Sequence, residues 1–184
     1  MTIQQIHHLI KAAMQGVYKP EESTPAVQPT PAPSPRQLLP GARCYTDAAI
    51  SPDTQHSGPV RAGIGIFILQ NPSNALASAI SIKAAHHNVK SVLEAEARAT
   101  QLASIVAKTM QLDQITYVSD NQQLVTALQA NNIIDQPGNW SIRPILADIK
   151  HNNEGKTFEV RKINRMINTT AHNLLVEPDQ VTTH

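Results

Sequence analysis

The sequence predicts an α/β fold in which a five-stranded mixed sheet carries helices on its faces. Three observations lead there. Three strand-type apolar runs follow one another between residues 43 and 84. After them come helix, strand, helix, helix, strand and helix patterns in turn. The clearest helical period, Ser91–Leu112, bears an apolar stripe suited to lying on a sheet. Successive strands that give way to helix–strand alternation need antiparallel and parallel neighbours in one sheet.

Ahead of this pattern stand two segments of different character. Residues 2–16 read as a short amphipathic helix with Ile3, Ile6, Leu9, Ile10 and Ala13 on one face, the remnant of a preceding region. Residues 17–40 read as a disordered linker, because seven of the thirteen prolines fall there among Ser, Thr and Gln. Such a stretch favours extended polyproline II and buries no core. The folded domain is expected over 41–178, with 179–184 as a tail. The linker and short leading helix suit a piece of a longer polyprotein.

Within the domain, Arg43–Ile50 reads as the first strand, closed by the turn residues Ser51-Pro52-Asp53. Ala62–Leu69 and Ala75–Ala84 read as the second and third, with Asn71-Pro72-Ser73-Asn74 as the turn between them. Gln114–Ser119 is the fourth strand and Asn121–Ala130 the second helix. Trp140–His151 reads as a third helix, with Pro144 accommodated in its first turn. Thr157–Ile163 is the fifth strand and Asn168–Val176 the closing helix.

Composition removes several function classes. The chain of 184 residues has a net charge of +1, which argues neither for nor against nucleic acid, membrane or acidic partners. One cysteine, Cys44, excludes an internal disulfide and leaves no basis for a cysteine zinc site. The pairs His7-His8 and His86-His87 point apart in regular structure and so make no chelate. No apolar run is long enough to span a membrane. The start, Met1-Thr2-Ile3-Gln4-Gln5-Ile6, lacks the basic and apolar regions of a secretory signal. A soluble intracellular protein is expected, with nucleus and cytoplasm not distinguished.

Three acids stand out against this background. Asp47 interrupts the first strand, where a carboxylate is poorly suited unless something cationic meets it. A bulge or edge position would also explain it. Glu96 falls inside the helical stripe formed with Val92, Ala95, Ala99, Leu102, Ala103, Val106 and Met110. Glu94 instead groups with Arg98, Gln101 and Lys108 on the polar side, which predicts a surface position. Asp120 stands where the fourth strand ends and the second helix begins, as an N-cap or as a ligand. Brought together, the three would suit hard divalent cations, which take oxygen ligands.

Several short motifs stand in a familiar order: Tyr45-Thr46-Asp47-Ala48-Ala49, Ala62-Gly63-Ile64-Gly65, Leu93-Glu94-Ala95-Glu96-Ala97-Arg98-Ala99, Val118-Ser119-Asp120-Asn121-Gln122-Gln123-Leu124-Val125 and Asn168-Thr169-Thr170-Ala171-His172. The ordered set resembles the ribonuclease H-like domain over residues 42–176, and most resembles the plant variety found with the reverse transcriptases of non-LTR retrotransposons.

The resemblance implies a ribonuclease H-like fold with the first three strands antiparallel. It also implies an active site at Asp47, Glu96 and Asp120, with His172 where the family usually carries a fourth acid. These four would act as catalytic residues and metal ligands for two Mg²⁺ ions, with Mn²⁺ as a substitute. The implied activity is two-metal hydrolysis of the RNA strand of an RNA–DNA hybrid. Asn88, Ser91, Asn121 and Gln122 are candidate nucleic-acid contacts or ordinary solvated surface, and Lys162 and Arg165 are candidate phosphate contacts. Residues 41–184 hold twelve basic and twelve acidic side chains, so modest, salt-sensitive affinity is expected.

The imidazole at position 172 suits Mg²⁺ less well than a carboxylate does. It favours the other class of reading, a catalytically weakened or inactive nucleic-acid-binding module derived from a retroelement. A structural domain whose acids only cap and pair is the third. Partners would be a hybrid or other nucleic acid and no membrane. Oligomeric state is not read from the sequence, and a monomer is the default.

Overall fold

The structure, a computed structural model, describes residues 41–51, 61–70, 78–130 and 140–176. All of them fall in the unit Gly41–His184. The expected helix at 2–16, the linker at 17–40, the Asn71–Asn74 turn and the tail lie outside the described residues, as do Pro52 and Asp53.

Five strands form one mixed sheet: β1 (Ala42–Ser51), β2 (Arg61–Gln70), β3 (Ser78–His87), β4 (Gln114–Ser119) and β5 (Thr157–Lys162). Their order across the sheet is β3-β2-β1-β4-β5. The first three strands are antiparallel to one another, while β1–β4 and β4–β5 are parallel. β3 lies three residues later than expected at its carboxyl end, because its ladder with β2 runs on to Arg61↔His87. Beyond Ala84 the residues Ala85-His86-His87 carry no apolar alternation to mark a strand, so tertiary pairing sets its limit.

Alternation along β1 assigns the faces of the sheet. Cys44, Thr46 and Ala48 are buried on one face with Ile64, Ile66 and Ile68 of β2. Helix α1 (Val92–Thr109) covers this face, and Thr46 Oγ1 lies 3.3 Å from Thr100 Oγ1. Tyr45 and Asp47 project to the other face, as do Gly63, Gly65 and Phe67. Helix α4 (Thr169–Val176) lies there so closely that a Cβ on Gly65 would run into the carbonyl oxygen of Ala171. Absence of a side chain at Gly65 is what lets the helix backbone reach the strand.

Helices α2 (Gln122–Gln129) and α3 (Arg143–Asn152) are the remaining α-helices among the described residues, with Pro144 in the first turn of α3 as expected. A 3-10 turn, Trp140–Ile142, leads into α3. α3 lies along α1: Gln101 Nε2 donates to Asp148 Oδ2 at 2.7 Å and Asn152 Nδ2 to Ser104 Oγ at 3.0 Å. α1 is therefore covered on two sides, which buries Ala97 and Ser104 as well as the stripe facing the sheet.

Two positions on α1 differ from expectation. Val92, assigned to the buried stripe, is 56% exposed in the first turn. Glu94, expected at the surface, is buried. Its Oε2 accepts the Lys90 N–H at 3.0 Å and its own N–H donates to the N-cap Ser91 Oγ at 3.1 Å, so the carboxylate folds back to the residue before the cap, over the helix start. Arg98 stands 3.8 Å from its other oxygen. No helix among the described residues is long and apolar enough to cross a membrane.

Candidate metal centre

The sheet opens where the site lies. β1 and β4 pair only from Ala42↔Ile115 to Tyr45↔Val118, whereas β1 stays paired with β2 as far as Ser51. Past Tyr45 the two parallel strands no longer share a ladder, and Asp47 stands just beyond that limit on β1. Asp120 follows the last residue of β4 on the neighbouring side. Crevices at the carboxyl ends of parallel strands, where connections leave in opposite directions, are the usual ligand sites of α/β sheets.

Glu96 reaches the same place from the second turn of α1. Each of Asp47, Glu96 and Asp120 offers one oxygen such that all three atoms lie within 4.8 Å of one another. Asp47 and Glu96 are buried and Asp120 is partly so. The alternatives left open for Asp120 resolve in its surroundings. Asn121 is the N-cap of α2, its Oδ1 accepting the Leu124 N–H at 3.1 Å, and the carboxylate of Asp120 is turned toward the cluster.

The electrostatics of this cluster are unfavourable without a cation. Burial, then the charges of Asp47 and Asp120, push the Glu96 carboxyl up to about 9; the Ala48 N–H and Arg165 oppose the shift. Glu96 Oε2 is buried and has no hydrogen-bond partner among the described residues. Three clustered carboxylates, one of them with an unpartnered buried oxygen, are the donor set of a hard divalent ion, and the residues present fit one.

His172 projects from the first turn of α4 onto Asp47, at the edge of the cluster and not among the three ligand atoms that lie within 4.8 Å of one another. Its Nδ1 lies 2.8 Å from Asp47 Oδ2, while Asp47 Oδ1 accepts the Ala48 N–H at 3.0 Å. The helix start is tied to β1 by buried Asn168, whose Nδ2 donates to the Thr46 carbonyl at 2.9 Å. Sequence reasoning gave Asn168 no role; the signal available was its place one turn before His172, whose N–H donates to the Asn168 carbonyl at 3.1 Å.

The candidate nucleic-acid contacts have mixed surroundings. Asn88 is exposed in the left-handed region, with φ +63°. Ser91 and Asn121 both cap helices through their side chains. Gln122 is exposed and donates to Thr126 Oγ1 at 3.1 Å. Lys162 is exposed at the end of β5. Arg165, in the 3-10 turn Arg165–Ile167, places its Nε 3.8 Å from Asp120 Oδ2 and is 73% exposed.

No protein-family model and no curated protein matches the sequence. Solved structures do match it. RNase H1 from the halophilic archaeon Halobacterium salinarum is 17% identical with a TM-score of 0.56, over 74% of this chain and 95% of that one. The N-terminal RNase H domain of a Mycobacterium tuberculosis protein, solved as a fusion with maltose-binding protein, is 13% identical with a TM-score of 0.53, over 73% and 91%. A foamy viral protease–reverse transcriptase in complex with an RNA/DNA hybrid is 16% identical with a TM-score of 0.55; the match covers 84% of this chain but 22% of that one. The chain has the ribonuclease H-like fold, a mixed five-stranded sheet whose first three strands are antiparallel as expected.

Proposed function

We propose that the chain is a metal-dependent endonuclease of the ribonuclease H type, which hydrolyses the RNA strand of RNA–DNA hybrids. The observation that carries the reading is the convergence of Asp47, Glu96 and Asp120, whose ligand oxygens lie within 4.8 Å of one another. That a foamy viral protein of this fold was solved with an RNA/DNA hybrid supports the choice of substrate. The finer resemblance to the plant retrotransposon variety belongs to the same proposal. So does the division into a leading helix at 1–16, a linker at 17–40, a nuclease domain at 41–178 and a tail.

In this reading Asp47, Glu96 and Asp120 hold divalent ions, with His172 in the fourth place. When bound, two such ions supply an activated water and neutralise charge on the leaving 3′ oxygen. The protein's own contribution is placement. β1 fixes Asp47, α1 carries Glu96 across the open end of the sheet, and the Asn121 cap frees Asp120 to face them. Arg165, 3.8 Å from Asp120, and Lys162 would contact phosphates, and Asn88, Ser91, Asn121 and Gln122 are the further nucleic-acid contacts of this reading. Selection of a hybrid rests on backbone shape and 2′-hydroxyls rather than base sequence.

Incubating the protein with a hybrid labelled on the RNA strand, in Mg²⁺ or in Mn²⁺, tests this directly. Cleavage by the wild type and its loss in Asp47→Asn, Glu96→Gln and Asp120→Asn is expected. A folded wild type inert under both ions rejects the enzyme. His172 in the fourth acid's place favours a second reading, a weakened or inactive module that binds nucleic acid. Hybrid binding without cleavage, with cleavage appearing in His172→Asp, is its signature.

A further inference from the structure

We infer that His172 makes this centre selective for a borderline divalent ion, Mn²⁺ over Mg²⁺, by supplying an imidazole nitrogen as a ligand beside Asp47. The inference rests on the reading above that the carboxylates hold divalent cations, and it specifies which cation.

The argument begins with spacing. His172 Nδ1 and Asp47 Oδ2 are 2.8 Å apart. Adjacent donors around a six-coordinate ion with bonds of about 2.1 Å lie about 3 Å from each other. The pair therefore stands at the separation of two neighbouring ligands, and Asp47 also belongs to the carboxylate cluster. The backbone that carries the ring is held in place. Asn168 binds the Thr46 carbonyl through its side chain and accepts the His172 N–H on its own carbonyl, fixing the start of α4 against β1. The bare backbone at Gly65 lets that helix sit on the sheet.

The chemistry then sets the preference. Mg²⁺ demands oxygen ligands and dehydrates reluctantly, whereas imidazole suits softer and borderline first-row ions. Three carboxylates draw either ion. A nitrogen in the fourth place penalises Mg²⁺ more than Mn²⁺, and a carboxylate there would remove the difference. The carboxylates of Asp47, Glu96 and Asp120 form an oxygen-rich set that still binds a hard ion when the nitrogen is replaced.

The test uses the full chain with MnCl₂ and MgCl₂ alone, without nucleic acid. Pulsed EPR of the Mn²⁺-loaded wild type is expected to show ¹⁴N coupling from a ligated imidazole, and His172→Asn, whose amide still donates toward Asp47, is expected to lose it. Competition by Mg²⁺ gives the Mn²⁺/Mg²⁺ affinity ratio, which should fall about tenfold in His172→Asp. Bound Mn²⁺ without nitrogen coupling, coupling that survives in His172→Asn, or an unchanged ratio in His172→Asp overturns the inference and leaves the carboxylate centre standing. A folded wild type that takes up no Mn²⁺ overturns both.

Discussion

His172 and Asp47 meet at 2.8 Å between Nδ1 and Oδ2, although 125 residues separate them in the chain. Asp47 is almost wholly buried and the His172 side chain is about one-third exposed. A hydrogen bond to a carboxylate contributes about 1.5–3 kcal/mol, and the exposure of His172 places this one at the low end. In metal-free protein, His172→Ala should lower stability by about 1–2 kcal/mol in urea titration. His172→Asp should lower it further, because a fourth carboxylate joins three, and millimolar Mn²⁺ should close most of that gap. Equal stability of His172→Asp and wild type without metal would contradict the account.

Glu96 predicts the pH dependence of the metal-free protein. Its carboxyl is raised from an ordinary 4.5 to about 9 in the fold, so the native state holds a proton that the unfolded chain releases. Its contribution is fully present below pH 4.5 and is lost as pH rises toward 9. Metal-free stability should therefore decline across that window, and Glu96→Gln should flatten the decline. The thermal shift given by a divalent ion should grow over the same range, since the ion takes the place of the proton. Chemical denaturation at several pH values, with and without Mn²⁺, measures both.

The two glycines of β2 should respond differently to alanine. A Cβ at Gly65 runs into the backbone carbonyl of Ala171, which a helix cannot move cheaply. Gly65→Ala should cost about 1–3 kcal/mol and displace the helix that carries His172. At Gly63 the nearest atom is the flexible Leu175 Cδ2 at 3.4 Å, so Gly63→Ala should be nearly neutral. Comparing the two melting temperatures checks the close approach of α4 to β2.

Arg165 should matter to substrate more than to fold. Its 3.8 Å pairing with Asp120 is highly exposed and contributes little to stability. Arg165→Ala should weaken hybrid binding and reduce the slope of log affinity against log salt by about one phosphate contact. Binding isotherms at several ionic strengths give that slope, and an unchanged slope would remove Arg165 from the nucleic-acid face.

Much of this architecture is legible in the sequence, for reasons that differ by residue. Asp47 announces itself because a carboxylate among apolar strand residues has few bland explanations. Glu96 follows from helical period, but the same period misplaces Glu94. A single stripe cannot reveal that α1 is covered by α3 as well as by the sheet, nor that Glu94 folds back on the Lys90 N–H. The role of Asp120 is ambiguous by spacing alone, since a cap can shift by one residue, and Asn121 takes it. The limits of β3 come from pairing with β2, which local alternation does not encode. Position 172 enters only through the resemblance; nothing in its spacing points to Asp47.

The account depends most on a shared cation among Asp47, Glu96 and Asp120, and thermal melting with added Mn²⁺ tests that most directly. Binding at about a hundred times the dissociation constant stabilises the native state by about 2.7 kcal/mol, which is a shift of several degrees. Wild type should show that rise at millimolar Mn²⁺, and Asp47→Asn, Glu96→Gln and Asp120→Asn should each lose most of it. A melting temperature that does not move in wild type, or a rise that persists undiminished in any of the three variants, would contradict a centre built from these residues.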